Sequence, residues 1–252
     1  MKNKLLSVLF AMLVLPVLVS AKLPIEDHDV RGVKPTDNIS SLEFNPALTV
    51  LDDGQGTSIS NMTVKYYYSF GDMFSVGTEV PFARFESPND SVNGLGDVLL
   101  SASGIKKFGK FAMGAVTEFT VPTATKDELG IGKLQFSPSL YGYYEIMPQV
   151  FISAGYKHYV SLMGDSSREN INAGRIRSVI AYLSKQNWWL LADNQYYIDY
   201  HNDNANEYIL EIEAGIMLYD EMSMYIKPGW HIGGNRNTKD WSLSFGVKLL
   251  SL

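Results

Sequence analysis

An all-β chain, a transmembrane antiparallel β-barrel of about twelve strands behind a cleaved signal peptide, is the fold class that three observations predict. The N-terminus carries an apolar run with a cleavage pattern behind it, apolar residues alternate with polar ones through most of the remaining chain, and the connections alternate between short and long.

The first element is the signal peptide, residues 1–21. Lys2 and Lys4 form a basic start, Leu5 to Val19 is apolar apart from Ser7 and Pro16, and Val19-Ser20-Ala21 supplies the small residues after which a signal peptidase cuts. The run falls short of the ~20 apolar residues a helix needs to span a bilayer, so cleavage before Lys22 is expected rather than anchoring. Residues 22–40 fit no strand. Pro24, Asp27, His28, Asp29, Arg31, Gly32 and Pro35 suit an extended periplasmic arm or a lumen plug, and the composition does not choose between them.

Residues 41–252 are the expected barrel. The pattern is clearest near the end, where Trp241, Leu243, Phe245, Val247 and Leu249 alternate with Ser242, Ser244, Gly246 and Lys248. Upstream, Met224, Ile226, Pro228, Trp230 and Ile232 oppose Ser223, Tyr225, Lys227, Gly229 and His231; Tyr208, Leu210, Ile212, Ala214, Ile216 and Leu218 oppose Glu211, Glu213 and Gly215. A period of two sustained this long means strands. Further strands are predicted near 187–200, 173–185, 148–161, 133–146, 110–122, 95–107, 72–85, 57–70 and 41–52, making twelve.

The connections test that reading independently. Tight turns are expected at Ser69–Asp72, Phe108–Lys110, Ile146–Gln149, Lys185–Asn187 and Tyr219–Met222. Between them fall polar loops at Asp52–Gly56, Ser87–Gly94, Thr123–Gly132, Met163–Asn172, His201–Asn206 and Gly233–Asp240. An outer-membrane barrel keeps short turns on the periplasmic side and long loops outside. A soluble β-sandwich has no reason to hold that phase. Trp188, Trp230, Trp241, Tyr196, Tyr200 and Tyr208 near strand ends further suit the aromatic girdle of a bilayer-embedded barrel in a bacterial outer membrane.

Composition narrows the function. Without residues 1–21 the chain has 19 basic and 27 acidic side chains, a net charge of −8, and no basic cluster to hold nucleic acid. The absence of cysteine excludes disulfides, thiolate metal sites and thiol nucleophiles. Asp199, His201 and Asp203 could converge on an outer loop, but one histidine among loop oxygens does not make a metal site. His158 and Ser161, three apart on one strand, point to opposite faces, and Asp199 with His201 only faintly resembles a protease pair, so no enzyme is expected.

Two stretches go beyond a generic barrel. Gly94-Leu95-Gly96-Asp97 before an alternating strand, then Val121-Pro122-Thr123, a polar loop and Leu129-Gly130-Ile131-Gly132, resemble the transporter-like outer-membrane barrel family labelled as a phenol meta-pathway protein, over residues 60 to 252. Ala124 departs from the glycine often found there. The resemblance implies an outer-membrane location and uptake of small organic compounds. The chain's end also departs from the usual barrel signal: Leu252 and Leu250 are out of phase with the apolar set of 241–249.

Parity sends a set of charges to the lumen. Arg175 and Arg177, then Asp193 and Asp199, Glu211 and Glu213, Lys227 and His231, and Lys248 would lie on successive strands, two acidic strands bracketed by basic ones. Such a ladder either braces the wall through ion pairs or sets a transverse field for polar solutes. The expected function is passive passage of small solutes without a cofactor; a structural or adhesive barrel with a blocked lumen is the alternative, and an outer-membrane hydrolase ranks behind both. The expected partners are outer-membrane lipid and lipopolysaccharide, with loop acids Asp52, Asp53, Asp90, Asp127, Glu128 and Asp165 toward its bridging cations, and the barrel-assembly machinery.

Overall fold

A computed structural model describes residues 30–51, 54–235 and 238–251. The expected signal peptide and residues 22–29 lie outside the described residues. The strands are β1 (Ser41–Val50), β2 (Ser58–Phe70), β3 (Phe74–Ser87), β4 (Asp90–Leu95), β5 (Val98–Phe108), β6 (Phe111–Val121), β7 (Lys133–Met147), β8 (Val150–Gly164), β9 (Asn172–Leu183), β10 (Trp188–Asp199), β11 (Ala205–Tyr219), β12 (Met222–Gly234) and β13 (Trp241–Leu250). Every neighbouring pair is antiparallel, and β13 returns to β1 in register from Ser41 opposite Leu250 to Val50 opposite Trp241. Closure leaves no free sheet edge along the wall, the condition for strands to survive in hydrocarbon.

Twelve of the strands form the closed wall, and β4 is the outer continuation of β5, pairing with β3 alone. This corrects the expected loop at Ser87–Gly94. Its polar tip hides a continued ladder in which Phe85 faces Val92 and Phe82 faces Leu95, so the chain turns only at residues 88–89. Between β4 and β5 the register shifts by one residue at Gly96-Asp97. The five tight turns sit at one end; Gly71 and Gly109 take φ of 59° and 64° there, a conformation that suits glycine, and Asn187 takes 62°.

The outer face is apolar on all sides. Leu140 (67% exposed), Phe82 and Ile180 (51% each) point away from the barrel, as do Ile176, Leu243 and Phe245. A soluble protein does not leave so many large apolar side chains in water; here the exposed belt is the surface that meets lipid.

The inner face is of two kinds. Near the tight-turn end Tyr143, Phe151, Ala181, Leu183, Trp189, Met217, Tyr225 and Leu250 bury one another. Trp189 lies across Gly215 and Tyr225 across Gly246, so that a Cβ at either glycine would enter the ring. Val30, Val33 and Ile39 pack onto this cluster from the segment before β1. That segment is fixed by polar contacts as well. Lys34 Nζ lies 3.1 Å from Glu145 Oε2 and 3.4 Å from Pro148 O; Asn38 Nδ2 donates to Gly71 O (2.8 Å) and Phe74 O (3.0 Å); Lys248 Nζ donates to Gly32 O at 3.2 Å. The out-of-phase Leu250 is explained here: it faces inward against Gly32.

Candidate lumen site

Above the apolar cluster the inward positions become charged. Across the seam, Lys248, Glu43, Lys65 and Glu79 stand directly opposite one another on β13, β1, β2 and β3, alternating in sign. Lys65 Nζ is 3.1 Å and Lys248 Nζ 3.8 Å from Glu43, whose Oε1 also accepts the Tyr225 hydroxyl at 2.7 Å. Opposite charges in adjacent strands contribute up to ~1 kcal/mol per pair. Tyr67 donates to Glu79 and Lys157 to Glu118 in two further close contacts.

On the other wall, the expected ladder residues meet in an arrangement that parity alone does not give. Asp193 stands directly opposite Glu211, a like-charge pair. Gln195 bridges them, its Nε2 lying 3.3 Å from Asp193 and 3.2 Å from Glu211. Arg177 reaches diagonally to clasp Asp193 with Nε (2.9 and 3.0 Å) and Nη2 (2.6 Å), and Asp193 is only 1% exposed. Glu211 is balanced by Lys239 at 3.0 Å and Lys227 at 3.7 Å. Glu213 accepts Trp189 Nε1 at 2.9 Å and lies 3.8 Å from Lys227. Arg175 turns to neutral partners, Tyr197 Oη at 3.1 Å and Gln195 Oε1 at 3.4 Å. Asp199 stays at the outer rim, where its Oδ1 accepts the backbone N–H of His201. The buried His231 Nε2 has no hydrogen-bond partner among the described residues.

Several contributors lie outside that ladder, Lys65, Glu79, Glu118 and Lys157 among them, and two more come from unexpected places. Glu43 sits in the first strand, whose alternation is blurred by Asn45 and Pro46. Lys239 belongs to an outer loop that folds into the mouth of the barrel, together with Thr238, whose N–H and hydroxyl both donate to the buried Glu207. Against the wall of β6 to β9, with Pro35 of the inner segment on its border, lies a cavity of about 220 Å³ lined by Val116, Glu118, Lys157, Arg175 and Arg177 among others.

The glycine-rich motifs converge on the break between β4 and β5. Asp97 Oδ1 accepts Ala124 N–H (3.0 Å) and Oδ2 accepts Ile131 N–H (2.6 Å). Thr123 Oγ1 accepts Val98 N–H at 2.9 Å, and Thr125 exchanges backbone and side-chain bonds with Leu95. Together they clamp the loop after β6 onto the β4–β5 break. His158 points outward to Tyr156 and Tyr200, whereas the Ser161 hydroxyl accepts Ile171 N–H. Among the described residues no cluster of histidine and acids could hold a metal.

A closed wall of twelve strands, greasy outside and charged within, is an architecture for bilayers. The chain has the fold of outer-membrane channels and porins. Its structure is similar to that of the COG4313 outer membrane channel from Pseudomonas putida F1, with a TM-score of 0.72 at 12% identity over 91% of this chain and 100% of that one. The KdgM porin (TM-score 0.58) and the NanC porin (0.59) are similar at 12% identity each, covering 83% of this chain and 98% of theirs. No protein-family model matches the chain, and no curated protein matches it. With the tight turns taken as periplasmic, both ends of the barrel's wall lie on that side.

Proposed function

We infer that this chain is a narrow diffusion channel of the bacterial outer membrane for small solutes, small organic compounds among them. The observation that carries this reading is the lumen itself: a ring of charged side chains around the closed wall, with a cavity beside Lys157, Arg175 and Arg177 that Pro35 of the segment 30–40 borders. A barrel needed only as an anchor has no use for buried ionised groups, since an apolar filling of the same volume is generally as stable or more so. The outer-membrane channels of the same fold support the reading at the level of architecture. In this reading the segment 30–40 acts as a plug, and the phenol label is not carried to a substrate.

The test is single-channel recording on refolded full-length mature protein in planar bilayers. Discrete, small openings are expected, and Val33→Asp, which sets a charge against the apolar cluster, should lengthen or enlarge them. A silent bilayer with folded protein, unchanged in Val33→Asp, would favour the second reading, a structural barrel. The docking of Val30, Val33 and Ile39 inside the wall is what gives that reading weight.

A further inference from the structure

The charge inventory around the cavity does not balance, and the imbalance sits on one residue. Lys157 and Arg175 stand directly opposite each other on β8 and β9, an unfavourable like-charge neighbour pair. Lys157 is paired with Glu118 and Arg177 with Asp193. Arg175 has no carboxylate partner among the described residues. Among those residues its Nη1 bonds two neutral groups, its Nε is buried without an acceptor, and its Nη2 makes no hydrogen bond. Buried charges are ordinarily paired, because removing an ion from water costs several kcal/mol that only a counter-charge or a full set of hydrogen bonds returns.

The guanidinium is nevertheless held in place. Its Cζ lies 5.7 Å from the Tyr197 ring centre and 6.0 Å from that of Tyr159, and the two rings stack on each other at 6.4 Å. A fixed, forked donor with spare N–H groups, facing a cavity of about 220 Å³, is a receptor for a planar anion. Val116, Val179, Pro35 and the Tyr141 ring give the lining an apolar part, beside the Ser139 and Ser153 hydroxyls and the Glu118 carboxylate that Lys157 neutralises. Pockets of this mixed kind bind an apolar body and orient it through one charged contact.

We propose that Arg175, with Lys157 and Arg177 beside it, forms a binding subsite for small organic monocarboxylates with an apolar body. The carboxylate takes the free edge of the Arg175 guanidinium and supplies the missing negative charge. Its hydrocarbon part packs on Val116, Val179 and Pro35. The inference rests on the channel reading by giving that lumen a preferred solute class, yet binding and passage can be measured apart.

The probe is benzoate, with benzyl alcohol as its neutral counterpart and acetate as a carboxylate without the apolar body. Equilibrium dialysis against folded full-length mature protein in detergent should show saturable benzoate binding at least tenfold tighter than that of either control. Arg175→Gln should weaken it at least tenfold and Arg175→Lys severalfold, because lysine keeps the charge and loses the fork. Arg84→Gln, on the outer surface, should leave it unchanged. Should Arg175→Gln not fold, judged by its gel mobility before boiling, the lysine variant and the three-probe comparison decide alone. Absence of saturable benzoate binding, equal binding of benzyl alcohol or acetate, or undiminished binding in a folded Arg175 variant overturns the subsite. Conductance on the same preparation separates the two ideas: binding in a silent bilayer keeps the subsite and sinks the channel, and openings without binding do the reverse.

Discussion

The periplasmic and outer halves of the barrel interior are made from the same alternating strands, yet they are held by different physics. In the lower half, Phe151, Met217, Trp189 and Leu183 fill the space and Val30, Val33 and Ile39 complete it, as in a small soluble core. In the upper half, Glu43, Lys65, Arg177, Asp193, Glu211 and Lys239 hold one another by charge. Close packing tolerates almost no change of volume, whereas an ion-pair network beside water shares each loss among several partners. The lower half should therefore behave as the rigid base of the molecule and the upper half as its adjustable part.

Substitutions can break that contrast. Phe151, 1% exposed, sits in the densest part of the base, and Phe151→Ala should destabilise the barrel by about 3–5 kcal/mol in denaturant unfolding from detergent or lipid. A loss under about 1 kcal/mol would mean the base is loosely packed. The outer face belongs to both halves: Leu243→Arg places a charge among lipid tails and should cost about 2–4 kcal/mol in the same assay if the residue lies near the bilayer midplane.

In the upper half the largest single effect should come from Asp193→Asn, which strands Arg177. Because Asp193 is buried but the Arg177 side chain is 46% exposed, the loss should be about 2 kcal/mol, short of the ~3–5 kcal/mol for a wholly buried pair. A cycle with Arg177→Gln should show coupling of about 1 kcal/mol or more, and additivity would remove the pair from the wall. Lys239→Gln should cost under about 1 kcal/mol, since Lys227 still serves Glu211. Its larger consequence should be a change in ion selectivity in planar bilayers.

The smallest effect concerns pH at the lower mouth. Burial raises the Asp37 carboxyl above its ordinary value, against the lowering pull of the Lys34 and Gly32 N–H groups and the Lys34 charge. A raised folded-state pKa gives a contribution that is complete below the unfolded value of about 3.9 and is lost as pH rises through the folded one. Docking of residues 30–40 should thus loosen slightly from about pH 4 toward neutrality. Hydrogen exchange in that segment, corrected for intrinsic rates, should show the step, and Asp37→Asn should abolish it.

Much of this was legible in the sequence because a strand's period of two survives translation into inside and outside. The faces of 208–218, 223–232 and 241–249 read directly, and so did the phase of tight turns. What a one-dimensional pattern does not carry is register and diagonal reach. Strand order sets Arg175 and Arg177 beside Asp193 and Asp199 without saying which meets which, whereas the register places Asp193 opposite Glu211 and sends Arg177 diagonally to Asp193. The β3–β4 hairpin reads as a loop because its tip is polar although its ladder is not. The inward apolar base was hidden for a different reason: Trp189, Leu191 and Leu183 share stretches with outward apolar residues, so alternation there gives way to a continuous run.

The contact of Leu250 with Gly32 also bears on how the molecule is put together. Leu250 closes the last strand and pairs with Ser41 of the first, while Ser251 N–H donates to Ser40 O at 2.8 Å, so the floor on which the leading segment rests is completed only when the two ends of the chain meet. A sheet not yet joined at that seam offers no such floor. Seating of residues 30–40 is therefore a late event in assembly, and their protection from a protease added from the periplasmic side would report, molecule by molecule, which barrels have closed.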